Sequence, residues 1–186
     1  MGYAGGARPN PTYYQIGDHS ETVQVDFDPT RVSYQQLLTA FWNGHDATED
    51  PYTRQYRSAI FYSNEEQRKL AEGSKAEQQS KAKGKLLTSI EPLNKFYAAE
   101  DYHQKFYLQQ YDDIVAEINA IYPEAQDRMN STAAARLNGY LGGFGDPGVL
   151  QKELGSLGLS EAGQQALLKA TEMGLAQTCP SGITIN

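Results

Sequence analysis

The chain has 186 residues, 39% of them hydrophobic, with 13 Tyr, one Cys and a formal net charge of −7. That length fits one domain, or one domain with an appended piece, and is enough to bury a core. The negative charge argues against nucleic acid or an anionic membrane as the main partner, and no apolar run approaches the roughly 20 residues of a membrane helix.

In chain order, residues 1–18 are rich in Gly, Pro and Asn and read as loop. Thr22–Phe27 alternates, with Val23, Val25 and Phe27 on one side, and predicts a half-buried strand. Ser33 and Gln36 form a capping box before the apolar stripe Leu37, Leu38, Phe41 and Trp42, and Gly44 stops that helix. Trp42 on this stripe reads as core. Ser58–Tyr62 predicts a short strand, and Asn64 with Gln67 opens a long polar surface helix to about Gly84. Leu87–Ile90 predicts another strand, and Glu91–Tyr97 a loop around Pro92.

Helices are then expected over Glu100–Leu108 and Asp113–Tyr122. From about residue 126 the composition shifts to Ala, Gly and Leu, with short helices at Ala133–Leu141, Val149–Leu157 and Glu161–Gly174. The order implies an α+β layer over residues 1–125 and a helical C-terminal extension over residues 126–186.

The single Cys179 excludes an internal disulfide and a Cys-rich metal site, and one thiol suits the cytoplasm. The start shows no positively charged and apolar leader, so no secretory signal is expected. The three His are far apart without ligand-like spacing, so no metal or other cofactor is expected. His19 reads as a loop histidine with local hydrogen bonds, His45 as a helix-end residue and His103 as packing or surface.

Four blocks share one pattern: GYAGG with NPTYYQIGDHSETVQVDFDP (to Pro29), SYQQLLTAFWNGHD (Ser33–Asp46), RQYRSAIFY (Arg54–Tyr62) and FYAAEDYHQKFYL (Phe96–Leu108). In this order they resemble the A-type methionine sulfoxide reductases, which reduce methionine-S-sulfoxide in proteins. RLNGYLGGFG (Arg136–Gly145) resembles an extension carried by one subtype of that family.

The resemblance implies a ferredoxin-like α/β sandwich. It also implies a GCFWG segment, carrying the nucleophilic Cys, ahead of GYAGG. The 186 residues begin at GYAGG, so the sandwich is expected to be incomplete at the N-terminus and the chain inactive alone, with an unpaired edge at Thr22–Phe27.

The chemistry needs a thiolate on the sulfoxide sulfur, an acid for the departing oxygen and donors that hold that oxygen. By spacing alone Glu21 is an ordinary solvated Glu before a strand, and a lone Tyr among 13 is packing or surface. The resemblance makes Glu21 the acid, and Tyr13 and Tyr56 the oxygen donors. Cys179, in the TCPSG tail, matches either a resolving Cys or a plain tail thiol. The implied partners are oxidised proteins or free methionine-S-sulfoxide, and a thioredoxin-like reductant. A non-catalytic binding module for methionine sulfoxide or a partner protein, and a non-functional fragment, are the alternatives.

Overall fold

A computed structural model describes residues 1–174. Cys179 lies outside them. Packing divides the described chain into two compact units, one ending at Glu100 and one beginning at Asp101. The sequence division at 125/126 follows composition, whereas residues 101–125 pack with the helices that follow them.

In the first unit, β1 (Gly2–Ala4) is the middle strand of an antiparallel sheet, between β2 (Ser20–Thr22) and β5 (Phe96–Ala98). The opening residues are therefore not all loop. Gly and Ala are poor strand formers, but two neighbouring strands and the buried Tyr3 and Ala4 override local preference. Tyr3 stands opposite Glu21 on one side and Tyr97 on the other, so these three side chains share a face of the sheet. The expected loop over Glu91–Tyr97 is likewise corrected, because β5 begins at Phe96.

The expected strand Thr22–Phe27 pairs only through Thr22. Residues 23–28 have no ladder partner among the described residues, and Val25 is 53% exposed. Alternation prepared this stretch for a sheet face, but a strand also needs a neighbour to take its backbone groups. A groove of about 530 Å³ lies between residues 22–27, helix α1 (Tyr34–Asn43) and β3 (Ala59–Tyr62).

Helix α1 begins with the expected capping box, Ser33 Oγ accepting from Gln36 N–H and Gln36 Oε1 from Ser33 N–H. Its Leu38 and Trp42 are buried with Ile60, Ala71 and Leu86. Trp42 Nε1–H donates to Ser74 Oγ at 3.0 Å, which satisfies the indole inside this core. Helix α2 (Glu65–Lys81) starts at Asn64 and buries Ala71. Strands β3 and β4 (Ser89–Pro92) pair in parallel across it.

The second unit is helical. The expected helix over Glu100–Leu108 is instead two 3₁₀ turns, Asp101–His103 and Leu108–Gln110. Between them Lys105 adopts a left-handed φ of 49°, which an α-helix does not allow. Asn138 Oδ1 accepts from the N–H groups of Tyr107 and Leu108 at 2.9 and 3.2 Å, holding this irregular segment.

Helices α3 (Asp112–Ile121), α4 (Ala125–Asn130), α5 (Thr132–Leu141), α6 (Pro147–Glu153) and α7 (Glu161–Gly174) follow. Ile114, Ile118, Leu137, Leu150, Leu157 and Leu167 form their continuous apolar core. Among the described residues, no helix is long and apolar enough to cross a membrane.

Candidate active site

After β1 the chain turns at Gly5 and Gly6. Gly5 sits at φ 79°, where a Cβ would lie 2.6 Å from the Phe61 ring. A side chain at Gly6 would meet the backbone nitrogen of His19 at 2.6 Å. Both positions therefore require glycine.

The loop that follows is closed by Asp18 and His19. The Asp18 carboxylate accepts from the N–H groups of Ala7 and Arg8, and these bonds hold it below the usual carboxylate range. His19 is 1% exposed. Its Nδ1 accepts from Gly6 N–H at 3.1 Å, so its Nε2 carries the proton that goes to Arg8 O at 2.7 Å. His19 is thus a buried clasp of the loop.

Within this loop, Asn10 takes a left-handed φ of 48°, which Asn tolerates, and a single 3₁₀ turn carries Tyr13. Thr12, at the turn's N-cap, makes no side-chain capping bond. Tyr13 N–H instead donates to Glu100 Oε1 at 3.0 Å, and Tyr3 Oη–H donates to Glu100 Oε2 at 2.6 Å.

Glu21 is the central residue of β2 and is half-buried. Tyr56 ends a second 3₁₀ turn, Arg54–Tyr56, which is tied to β2 on several sides. Gln55 Nε2–H donates to Glu21 Oε1 at 2.5 Å, Arg54 Nε–H to Asp18 O at 2.8 Å, and Ser20 Oγ–H to Arg54 O at 3.2 Å. Arg57 donates from Nε to Ser20 Oγ at 2.8 Å and forms a two-pronged ion pair with Glu91. That pair holds the Glu91 carboxyl below its usual range.

The result is a cluster. The hydroxyls of Tyr13 and Tyr56 stand 3.5 Å apart. The Tyr56 phenol is pushed up to about 12, first by its hydrogen bond with Tyr13, then by burial and by the charge of Glu21. At neutral pH it is a donor. The three residues singled out in the sequence therefore come together. Tyr14 and Tyr52 remain 89% and 99% exposed.

The sequence reading missed Asp18, Ser20, Gln55 and Glu100. Gln55 flanks Tyr56 in RQYR, and Glu100 lies in the FYAAED block, so both were in view without a role. No thiol is among residues 1–174, because the chain's single Cys is Cys179.

A family model described as peptide methionine sulfoxide reductase matches residues 1–135. This chain belongs to the peptide methionine sulfoxide reductase family. A peptide methionine sulfoxide reductase of Drosophila melanogaster is 40% identical over 167 residues, covering 89% of this chain and 67% of that relative. Peptide methionine sulfoxide reductase A5 of Arabidopsis thaliana is 39% identical over 161 residues, covering 83% of this chain and 62% of that relative. MsrA of Methanosarcina acetivorans is 45% identical over 118 residues, covering 58% and 63%.

The chain thus spans about two thirds or less of these relatives. The match to the fly and plant relatives runs farther along it than the match to the archaeal one. The crystal structure of reduced Mxr1 from Saccharomyces cerevisiae superimposes with a TM-score of 0.54 at 31% identity, over 60% of this chain and 69% of that one. The chain has the mixed α/β fold of the family.

Proposed function

We propose that Tyr13, Glu21 and Tyr56 form the oxygen side of a site that reduces methionine-S-sulfoxide, in oxidised proteins or as the free amino acid. The carrying observation is the pair of phenols 3.5 Å apart, with Glu21 bonded to Gln55, the residue before Tyr56, and its charge felt at the Tyr56 phenol. A hydrogen-bonded O–H···O pair is ordinarily closer, near 2.7–2.8 Å. A sulfoxide oxygen seated between the two hydroxyls accepts from both, and its partial negative charge suits such donors.

In this reading a thiolate attacks the sulfoxide sulfur, the S–O bond breaks, and Glu21 supplies a proton to the departing oxygen. Over the full cycle the sulfoxide takes two electrons and becomes the thioether, two thiols become a disulfide, and the oxygen leaves as water. A thioredoxin-like dithiol in the cytoplasm returns the disulfide to thiols. The attacking thiol comes from outside residues 1–186. Cys179 is the resolving thiol, and no cofactor takes part.

Two measurements test this. With dithiothreitol as reductant, the chain alone is expected to give no turnover of methionine-S-sulfoxide. Turnover that disappears in Cys179→Ser would make Cys179 the nucleophile and overturn the assignment. In an NMR titration with methionine-S-sulfoxide, shifts are expected at Tyr13 and Tyr56, but not with methionine. Equal shifts in Tyr13→Phe and in the parent chain would sink the oxygen-donor roles.

A further inference from the structure

We propose that Glu100 is a positioning residue of this site, holding the Tyr13 turn to the middle strand of the sheet and thereby setting the Tyr13 hydroxyl beside Tyr56. The inference rests on the roles proposed for Tyr13 and Tyr56, and it follows from an unusual cap.

The first N–H groups of a helical turn have no partner inside the turn, and a nearby Ser, Thr, Asp or Asn side chain ordinarily accepts from one of them. At the Tyr13 turn that local cap is missing, because Thr12 makes no capping bond. The acceptor comes from 87 residues away, as Glu100 Oε1 at 3.0 Å from Tyr13 N. A one-turn helix of three residues has almost no stability of its own, so its placement depends on what it is tied to.

Glu100 is also tied to the middle strand of the sheet. Its second oxygen accepts from the hydroxyl of Tyr3 at 2.6 Å, and Tyr3 is 1% exposed on the strand that has neighbours on both sides. The backbone just before it is fixed too, since Ala99 N–H donates to Met1 O at 3.1 Å. A line of named bonds therefore runs from β1 through Tyr3 and Glu100 to the Tyr13 backbone, and the Tyr13 hydroxyl stands 3.5 Å from that of Tyr56. The Tyr56 turn has its own anchors, at Ser20 and Glu21 of β2 and at Asp18 just before it. Both phenols are thus referred to one sheet, and Glu100 is a link on the Tyr13 side.

The test reads the titration of Tyr56, which depends on where Tyr13 stands. It is followed at 295 nm in stopped-flow pH jumps on the full chain, with Tyr56→Phe subtracted. Circular dichroism verifies that each variant is folded. In Glu100→Ala the Tyr56 transition is expected to fall by about one pH unit or more from its position near 12, toward the ordinary phenol value of about 10. Glu100→Gln keeps an acceptor for the Tyr13 N–H and is expected to restore most of the shift.

If Glu100→Ala does not fold, Glu100→Asp carries the test, because its side chain is one methylene too short to reach both Tyr3 and Tyr13. A folded Ala or Asp variant with an unchanged Tyr56 transition overturns the proposal, and so does a parent transition already near 10. Sulfoxide binding is scored separately. A moved titration in a chain that binds no sulfoxide upholds the positioning role and rejects the proposed function.

Discussion

The two compact units are held together by different physics. In the helical unit the largest fully buried side chains are aliphatic: Ile114, Ile118, Leu137, Leu150, Leu157 and Leu167. In the first unit the corresponding residues are Tyr3, His19, Thr88 and Ser20, each with a polar group that has to be bonded inside. The helical unit relies on non-directional burial, so its side chains are replaceable in kind. The site-bearing unit relies on directed bonds, namely the Asp18–His19 clasp, the Arg57–Glu91 pair and the Glu100 link. Directed bonds fix phenols and a carboxyl at set distances, which oily packing alone does not do.

The sharpest way to break the comparison is a large-to-small change in the aliphatic core. Leu137→Ala or Leu167→Ala is expected to cost about 2–5 kcal/mol by urea unfolding, through lost burial and the cavity left behind. The Tyr56 titration in the same variant is expected to stay in place wherever the first unit remains folded. A small loss of stability at both positions would show that the helical core is loosely packed.

The next effect comes from the polar side. Arg57→Met removes the partner of Glu91 and the bonds to Ser20 and Ser89. Breaking a buried pair costs about 3–5 kcal/mol, but Glu91 is 32% exposed, so roughly 2 kcal/mol is expected. Glu91 also carries a pH signature. Its folded-state value lies below its unfolded one, so its contribution is present above the unfolded carboxylate range and is lost as pH falls through the folded value. An acid limb of the stability curve that is the same in Arg57→Met and in the parent would contradict the pair.

This contrast also explains what could be read without the structure. Helices α3, α5, α6 and α7 of the second unit follow from apolar spacing and capping residues, whereas the helix expected over Glu100–Leu108 does not form and α4 was not expected. The cap at Ser131, which accepts from Ala134 N–H, is a local signal of that kind, and so is the one at Ser33. The first unit follows local rules less well. Gly2–Ala4 is a strand only because residues 20–22 and 96–98 close on it. Val23–Phe27 has a strand's pattern without a neighbour to complete it. In the candidate site, Tyr13, Glu21 and Tyr56 were singled out through family motifs. Gln55, Asp18 and Glu100 were not, because their roles lie in bonds between distant segments. Glu100 is 87 residues from the backbone group it holds, and nothing in spacing records that.

Smaller effects sharpen the comparison within each unit. Ser131→Ala and Ser33→Ala are each expected to cost about 1 kcal/mol, since each removes an N-cap acceptor. Hydrogen exchange separates paired from unpaired strand. The amides of Tyr3 and Thr22, which face their partner strands, should be protected, while those of Gln24 and Val25 should exchange at rates near those of an open chain. Protection at Gln24 and Val25 would mean that this stretch has acquired a partner.

The smallest effect expected is the contribution of His45 to pH dependence. Its ring sits between Phe41 O at 3.0 Å and Ser58 Oγ at 2.7 Å, and Ser58 is bonded in turn to Thr88. Burial pushes the imidazole below its ordinary value, and the bond to Phe41 O and the charge of Asp46 oppose that only in part. The unfolded chain therefore takes up this proton at higher pH than the folded one. Stability is full above the unfolded histidine value, near 6.5, and falls as pH drops through the window between the two values. Melting temperatures of the parent chain and of His45→Gln, compared between pH 7.5 and 5.5, isolate this contribution. The parent should lose more stability on acidification than the variant. A parent that gained stability over that interval relative to His45→Gln would mean that the charged ring is the favoured form, and that the Ser58–Thr88 chain receives a proton from His45 rather than giving one.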